Sequence, residues 1–448
     1  MVEEFRALAA QWEDEGYLHR VRRRVSPVHE VAAVAARFKG ARPLRFDDVE
    51  GVAHPVVIGM GGDRELLAKS LGTTTSELVP TLMAALVHPL PTRTVAAGPC
   101  QEVVVRPPFS VGEVLPALTY HELDAGPYYV LGVLVVRSPD GSKRYLSVRR
   151  MQVRPGNRLG IVITSPELMR QVRGFEAQRR PLEVAVMFGV VPGVVLSSQV
   201  PTHIFHVDKL DVAGALLGAP LEVVRCQTVD LEVLKSCEWV VEGRIVPGVR
   251  EPEGPFGELG GYYSVRAPQP VVEVTAVTHR RDPIIQTVLP GSYEERLPGA
   301  VNRELLILES VRPSVPGVRA VHVTMGGMGR FHAVVQISKE QPGDGKQAAL
   351  AAFAADKDLK QVVVVDADVD PFDLEDVEWA VATRVQADED LFVVAGARGS
   401  PLESSHLLRG VTAKVGVDAT FPLDRAELFR RIRIPGKDRI DLADYGLG

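Results

Sequence analysis

The chain has 448 residues, with 51 Lys and Arg against 57 Asp and Glu, so its formal net charge is −6. Apolar residues make up 46% and charged residues 24%, an ordinary globular composition that excludes global disorder and a broadly basic nucleic-acid binder. The N-terminus has no secretory signal pattern, and Gly and Pro interrupt the longest uncharged stretch, which argues against a membrane span. Three cysteines without a CxxC spacing favour a reducing cytoplasm.

Residues 1–102 alternate between helical and strand-like segments, which predicts a small N-terminal α/β lobe. Helices are expected at 3–15, at 27–38 with Ser26 as N-cap, and at 63–71, where Gly72 ends the helix. A strand is expected at 55–59. The glycine-rich turn at 58–62 could cradle a phosphate, although a tight turn is the simpler interpretation.

Residues 103–300 change character, because runs of Val, Ile and Tyr are separated by Pro-Gly, Asp-Gly and Glu-Gly turns. The segments 128–136 and 184–195 are typical of these runs, and a helix is expected at 166–179. Runs of β-branched residues separated by turns predict a largely antiparallel sheet or barrel.

Residues 301–448 alternate again, with helices expected at 305–311, 345–355 and 375–384 and strands at 320–324, 333–337 and 361–365. This spacing predicts a C-terminal α/β domain with some parallel pairing. The charged, proline-containing tail after Phe421 is expected to wrap a surface or a partner subunit. The whole chain is therefore predicted to be a mixed α/β (α+β) protein of three domains.

The segment 251–263 holds three carboxylates, Glu251, Glu253 and Glu258, between prolines and glycines and beside two tyrosines. Pro restricts the backbone and Gly permits close approach, so such a loop can fix acidic side chains beside a ligand. Two carboxylates in one partly buried site raise the pKa of one of them, which makes a proton donor near neutral pH. Taken alone, however, the composition favours a solvated turn between strands.

A second signal is the strand-like segment 147–153, which carries Arg149 and Arg150. An arginine on a buried strand needs an anion or a carboxylate as its partner. A structural ion pair at a sheet edge explains this pattern equally well, so the segment does not decide a function by itself.

Together these two segments resemble the UbiD family of decarboxylases, which includes the ferulic acid decarboxylases. The family's fingerprint, proline-glutamate-glycine-proline-aromatic-glycine-acid followed by a glycine and an aromatic residue, occurs here at 252–258 and 261–263. Supporting motifs lie at 139–141, 221–226, 238–243, 363–369 and 414–420. Ordered motifs from about residue 5 to residue 430 make the resemblance far more specific than one loop.

The resemblance implies a central split β-barrel at 103–300 that binds prenylated FMN, and a C-terminal domain at 301–448 that mediates oligomerisation. It also implies reversible decarboxylation of aromatic, heteroaromatic or α,β-unsaturated acids. Loss of CO₂ from an sp² carbon needs an electron sink that no side chain provides, and the modified flavin would supply it. The positions that the family uses to bind the cofactor are Tyr145, Ser147, Val148, Arg150, Ser165, Pro166, Lys209 and Lys414.

The family's catalytic acid–arginine–acid trio maps onto Glu253, Arg150 and Glu258. By this resemblance Arg150 would hold the substrate carboxylate, and Glu253 would orient and balance Arg150. Glu258 would deliver a proton to the carbon that CO₂ leaves.

The resemblance fails at the metal site that usually accompanies the cofactor phosphate in this family. The ligand positions for Mn²⁺, which the family binds together with K⁺, are Tyr145, Pro166 and Lys209, a poor ligand set. Lys209 could replace the cation directly. Alternatively, His203 or His206 with Asp208 restores a metal, or the protein is a paralogue that binds prenylated FMN poorly.

The resemblance places residues 287–303 near the substrate, where Arg296 and Arg303 could grip a second carboxylate, as in furan-2,5-dicarboxylate. A surface segment with paired charges is an equally good interpretation. The expected partners are a carboxylic acid substrate, a flavin prenyltransferase that supplies the cofactor, and further copies of the chain in a dimer or hexamer. The alternative function is a non-catalytic flavin-binding or assembly subunit of a larger carboxylase complex.

Overall fold

The computed structural model describes residues 2–38, 42–406, 411–436 and 439–445. The helices are α1 Phe5–Asp14, α2 Glu30–Arg37, α3 Arg64–Ser70, α4 Leu78–Val87, α5 Val111–Val114, α6 Pro166–Ala177, α7 Pro192–Ser198, α8 Thr202–Phe205, α9 Lys209–Leu217, α10 Tyr293–Val311, α11 Asp344–Ala355, α12 Leu374–Arg384 and α13 Ala387–Asp390. The strands are β1 His19–Val21, β2 Leu44–Phe46, β3 Val56–Ile58, β4 Arg93–Thr94, β5 Val103–Val105, β6 Tyr128–Arg137, β7 Arg144–Val153, β8 Arg158–Ile161, β9 Leu182–Phe188, β10 Glu222–Arg225, β11 Glu232–Leu234, β12 Trp239–Glu253, β13 Ala267–His279, β14 Ile285–Thr287, β15 Val318–Val323, β16 His332–Ile337, β17 Gln361–Asp366, β18 Leu391–Ala397 and β19 Thr412–Ala419.

The N-terminal lobe is a four-stranded sheet in the order β1-β2-β3-β14, with α1 to α4 preceding and following its short strands. Helix α3 begins where the sequence predicts, because the Asp63 carboxylate accepts hydrogen bonds from the amides of Glu65 (2.8 Å) and Leu66 (3.1 Å). Strand β14 belongs to the chain after the barrel and pairs in parallel with β3. The lobe and the barrel are therefore joined through one sheet and one apolar core.

The central part is a closed barrel of six strands in the order β12-β9-β6-β7-β8-β13, which closes because β12 also pairs with β13. Every neighbouring pair in the barrel is antiparallel. Closure of the barrel removes the free strand edges that an open sheet would leave. The predicted mixed α/β fold with a central barrel is confirmed.

Two local predictions were wrong. Residues 184–195 are not strand, turn and strand, because β9 ends at Phe188 and Pro192 begins helix α7. Every residue of α7 is buried, so its apolar side chains show no helical periodicity and look like a strand in the sequence. Ser26 is not the N-cap of α2, because the helix begins at Glu30 and the Ser26 hydroxyl accepts instead from the Val28 amide at 3.1 Å.

The C-terminal part is a five-stranded sheet in the order β15-β16-β17-β19-β18, with its own apolar clusters. The three central strands are parallel and the two edge strands antiparallel, which confirms the predicted α/β layer. Helix α10 contacts α4 of the N-terminal lobe, α7 beside the barrel, and α11 and β15 of the C-terminal part. It therefore connects all three parts around one position, where the candidate site lies.

The tail after Phe421 lies on α12, since Arg431 binds Asp376 at 2.7 Å. Among the described residues, no helix is both long enough and apolar enough to cross a membrane.

Candidate active site

Arg150 lies on β7 at an irregularity in the barrel wall. The register of β6 against β7 places both Val130 and Leu131 opposite Arg150, so β6 carries a bulge at this point. A bulge interrupts the hydrogen-bond ladder and changes the direction of nearby side chains. Gly132 follows the bulge, and a Cβ there would lie 2.6 Å from a Val186 methyl carbon, so a larger residue would disturb the wall.

The acidic loop is held in place by the backbone rather than being free in solvent. The Gly257 amide donates to Asp124 Oδ1 at 2.9 Å, and the Phe256 amide donates to Ser264 Oγ at 3.1 Å. Phe256 is buried, and the Arg150 guanidinium lies 4.6 Å from the centre of its ring. The loop therefore presents its two glutamates, Glu253 and Glu258, from fixed positions.

The structure brings Arg150, Glu253 and Glu258 together. Nε and Nη2 of Arg150 donate to the two carboxylate oxygens of Glu253, each at 3.2 Å, and Nη1 donates to Glu258 Oε1. Nη2 also donates to Ser264 Oγ at 3.3 Å. The two-pronged contact with Glu253 fixes the plane of the guanidinium, which is the geometry that an arginine needs to present itself to a further carboxylate.

These three side chains are shielded from solvent to different degrees: 13% of the Arg150 side chain is exposed, 2% of Glu253 and 19% of Glu258. Burial lowers the pKa of Arg150, but the carboxylates of Glu258 and Glu253 outweigh it, so the net shift is upward. Arg150 is therefore always charged. The ion pair lies in an enclosed site and not in a solvated turn or at a sheet edge.

Arg150 and Glu258 of this trio border a cavity of about 140 Å³. Its apolar wall comes mainly from the barrel and from α7, and its polar wall contains Arg150 and Glu258. The residues that line it are Val130, Leu131, Val148, Arg149, Arg150, Val162, Thr164, Val195, Gln199, Phe256, Glu258, Val288, Pro290, Glu294, Glu295 and Leu402. Gln199 also lines a neighbouring cleft of about 620 Å³, which holds Ser165, Pro166 and Arg303.

Two further carboxyl groups line this cavity and were not among the site residues predicted from the sequence. They belong to residues 287–303, which the resemblance placed near the substrate and which a surface segment explained equally well. The segment instead begins helix α10, with Glu294 and Glu295 in its first turn. Glu294 accepts from the amides of Gly59 (2.6 Å) and Gly61 (3.1 Å), so the glycine-rich turn of the N-terminal lobe holds a carboxyl group of the protein.

Burial raises the pKa of both glutamates to about 7. For Glu294 the backbone amides of the turn partly offset this shift. Glu295 accepts a hydrogen bond from the Gly291 amide at 2.5 Å, and the nearby Glu258 carboxylate raises its pKa further. The site therefore contains two carboxyl groups that hold a proton near neutral pH.

Lys209 is buried, contrary to the surface position that most lysines take. It is 8% exposed, and its Nζ donates to the carbonyls of Leu146 (2.8 Å) and Ser198 (2.7 Å). Burial lowers its pKa to about 8, and the neighbouring Arg149 adds to that shift. Burial also lowers the pKa of Arg149 to about 10, and within the described residues its buried Nε has no hydrogen-bond partner. A nearby anion would stabilise two close cations of this kind.

The three positions of the family's metal site do not form a metal site here. Tyr145 lines a separate cleft together with His206 and Asp208, Pro166 begins helix α6, and Lys209 is a cation. Within the described residues no group of three His, Cys, Asp or Glu side chains is placed to hold a metal ion. The side chain of His203, the other candidate ligand, lies outside the part of the chain that is described.

The remaining candidates are distributed around the site. Val148 lines the cavity and Ser165 lines the adjoining cleft, while Ser147 is part of β7. Lys414 donates to the Lys357 carbonyl at 2.9 Å in the C-terminal part.

The two arginines proposed for a second carboxylate differ. Arg303 binds Asp356 and, at 3.1 Å, Asp358, so its charge is already balanced. Arg296 donates to the carbonyls of Met325 (3.3 Å) and Leu259 (3.4 Å), and its buried Nε has no partner among the described residues.

Models of one protein family match three successive parts of the chain. The models of the 3-octaprenyl-4-hydroxybenzoate carboxy-lyase match as an N-terminal domain at residues 9–86, a Rift-related domain at 93–293 and a C-terminal domain at 297–419. The chain therefore belongs to the UbiD family of carboxy-lyases, and it is a decarboxylase of this class.

Individual relatives agree with this class. The chain is 39% identical to the anhydromevalonate phosphate decarboxylase of Methanothermobacter thermautotrophicus, over 84% of this chain and 88% of the relative. It is 32% identical to the gallate decarboxylase of Lactiplantibacillus plantarum, over 87% and 86%.

A solved structure covers almost the whole chain. The UbiD-class enzyme HmfF from Pelotomaculum thermopropionicum, in complex with FMN, has a TM-score of 0.96 and 46% identity, over 99% of this chain and 100% of that chain. An evolved dimeric form of that enzyme, in complex with prenylated FMN, has a TM-score of 0.92 and 44% identity, again over 99% and 100%. The ligand of this second structure is the cofactor that the sequence resemblance implies.

Proposed function

We propose that this chain uses prenylated FMN to catalyse the reversible, non-oxidative decarboxylation of an aromatic or heteroaromatic acid. The observation that supports this most directly is the enclosed arrangement of Arg150 between Glu253 and Glu258. A site of this form has a fixed cation for a carboxylate and an acid beside it. Such a pair is what the exchange of CO₂ for a proton requires.

The residues present fit a flavin cofactor. The cavity has apolar residues along part of its wall that suit a ring system. The buried Arg149 Nε, which has no hydrogen-bond partner among the described residues, lies near the Lys209 ammonium. Arg149 and Lys209 would hold the phosphate, because a buried pair of cations is stabilised by an anion. When bound, prenylated FMN supplies the electron sink for the carbanion that loss of CO₂ leaves.

The protein's own side chains bind the substrate, exclude water and transfer the proton. Arg150 binds and orients the substrate carboxylate, while Glu253 keeps the guanidinium plane fixed. The apolar wall around Phe256 and Val130 excludes water from the reacting carbon. Glu258 transfers a proton from its carboxyl oxygen to that carbon, and accepts one in the carboxylation direction.

A metal does not fit the residues at the phosphate end. Tyr145, Pro166 and Lys209 supply neither the carboxylate nor the imidazole ligands that Mn²⁺ prefers. We therefore assign no step to Mn²⁺ or K⁺.

We expect the three segments at 1–102, 103–300 and 301–448 to act as domains of a homo-oligomer. Apolar residues of the tail are available for subunit contact, with Ile432 fully exposed and Leu428 and Ile434 74% exposed.

The function is tested by co-expression of the chain with a flavin prenyltransferase. We expect purified protein with the absorbance of a bound flavin, and CO₂ release from at least one member of a panel of aromatic and heteroaromatic acids. A colourless protein that retains no flavin would contradict the proposal, while one that binds flavin without turning over any acid would support the non-catalytic subunit.

The dicarboxylate subtype is tested at Arg296. Since Arg303 is bound to two aspartates, Arg296 is the arginine left to hold a second carboxylate. We expect Arg296→Ala to lower turnover of furan-2,5-dicarboxylate about tenfold more than that of furan-2-carboxylate, because only the former loses a charge-assisted hydrogen bond. Arg312→Ala is the matched control, since Arg312 is exposed and pairs with Glu309. Equal losses on both substrates would remove the case for this clamp.

A further inference from the structure

The proposed function leaves one chemical question open, which is the source of the proton that Glu258 delivers. Glu258 gives a proton to the product carbon in each turnover, so it must receive another proton before the next turnover. A second acid that lines the same cavity as Glu258 can supply that proton.

The cavity contains two other carboxyl groups, and they differ in what surrounds them. Glu294 is held by the amides of Gly59 and Gly61, in a turn of the N-terminal lobe. Glu295 has one hydrogen bond, from the Gly291 amide, and it is partly exposed where it lines the cavity. Glu295 is therefore the freer of the two.

Glu295 also lies beside the loop that carries Glu258. A Cβ on Gly291, whose amide binds Glu295, would lie 3.7 Å from the Glu258 carbonyl oxygen. Arg296, the next residue along α10, donates to the carbonyl of Leu259, the residue after Glu258. The start of α10 therefore lies against the acidic loop at two points, at Gly291 and at Arg296.

We propose that Glu295 holds the proton that passes to Glu258 and then to the product carbon, so that the two carboxyl groups form a relay. This inference rests on the proposed function. An O–H bond of Glu295 breaks as an O–H bond forms on Glu258, and the proton then forms the C–H bond of the product. After the product leaves, a hydronium ion from the solvent transfers a proton to Glu295, forms its O–H bond again and becomes water. No electron acceptor is needed, and in the carboxylation direction each transfer is reversed.

The charged groups that face Glu295 are consistent with this role. Glu258 from the acidic loop favours the protonated form, whereas Arg296 on the same helix and Arg150 on β7 favour the ionised form. The opposed effects leave the pKa of Glu295 at about 7, where a carboxyl group can both release and regain a proton.

Glu295→Gln tests the relay in cofactor-loaded protein, with hydrogen–deuterium exchange at the product carbon as the readout. We expect exchange to slow by about a hundredfold, while flavin retention and KM for the acid are unchanged. In the wild type, exchange should decline as the pH rises through about 7, because Glu295 loses its proton. This decline should be absent from the variant. Infrared spectra of the cofactor-free chain should also lose one protonated-carboxyl band in the variant.

Glu309→Gln is the matched control, since it removes a carboxyl group of the same helix that pairs with Arg312 and does not line the cavity. It should keep the exchange rate and its decline with pH. The relay would be overturned if Glu295→Gln exchanged hydrogen at the product carbon at the wild-type rate, or with the same dependence on pH. If the wild type neither exchanges hydrogen at the product carbon nor releases CO₂ from any acid, the result contradicts the proposed function itself.

Discussion

Glu258→Gln should abolish decarboxylation almost completely while the flavin remains bound. The amide has the size of the carboxyl group and still offers an oxygen to Arg150, so the trio should keep its geometry. It cannot supply a proton, however, and general acid catalysis contributes about 10²–10⁴-fold. We expect a loss of this size in CO₂ release, measured by gas chromatography, and an equal loss of hydrogen–deuterium exchange at the substrate carbon.

The control for this variant is Glu251→Gln, which removes another acid of the same segment. Glu251 pairs with Arg154 (3.0 Å) and Arg158 (2.5 Å) and does not line the cavity. Its loss should change turnover little. If Glu258→Gln keeps activity within a few-fold of the wild type, Glu258 is not the donor, and Glu253 becomes the next candidate.

Lys209→Ala and Arg149→Leu should each release the cofactor. A phosphate between two buried cations loses a charge-assisted hydrogen bond when either is removed, which corresponds to about a ten- to hundredfold weaker affinity. We expect the flavin-to-protein ratio after gel filtration to fall accordingly. Turnover of the fraction that stays loaded should change much less, because neither residue belongs to the acid–arginine–acid trio.

Exhaustive chelation should leave the wild-type flavin content and turnover intact, since the residues at this end of the site do not suit a metal. Lys339→Ala is the matched control. The Lys339 ammonium likewise binds oxygen atoms, of Thr420 at 2.9 Å and Phe421 at 3.3 Å, but Lys339 does not line the cavity. Loss of flavin on chelation, with Lys209→Ala behaving like Lys339→Ala, would contradict the assignment of Lys209 to the phosphate and point back to a metal.

Several features of the site could be predicted from the sequence because they depend on local chemistry. The alternation of Pro, Gly and Glu between residues 252 and 258 determines a rigid acidic loop, whatever surrounds it. Helix starts with a good cap were also predictable, as at Asp63, where the side chain satisfies the first amides of α3. The family's order of motifs then connected the loop to Arg150, although 103 residues separate Arg150 from Glu253.

Other features were decided by packing alone. The segment Pro192–Ser198 forms a helix because it is enclosed on every side, and enclosure removes the periodicity by which a helix is recognised. Glu294 and Glu295 look like ordinary surface charges in the sequence, and Lys209 is singled out only by its position in the family's motif. Their environment depends on α10, the N-terminal turn and α7, which are distant in the chain and close in the fold.

The sequence by itself therefore determined which groups the proposed chemistry would use: a cation for the carboxylate, two acids beside it, and an aromatic ring behind them. Only the tertiary structure decided their protonation and their partners. A pKa depends on the removal of water and on charges within a few ångströms, and both follow from contacts between distant segments. This is why the acidic loop could be predicted from local residues, whereas the second acid at Glu295 and the proximity of Arg149 to Lys209 could not.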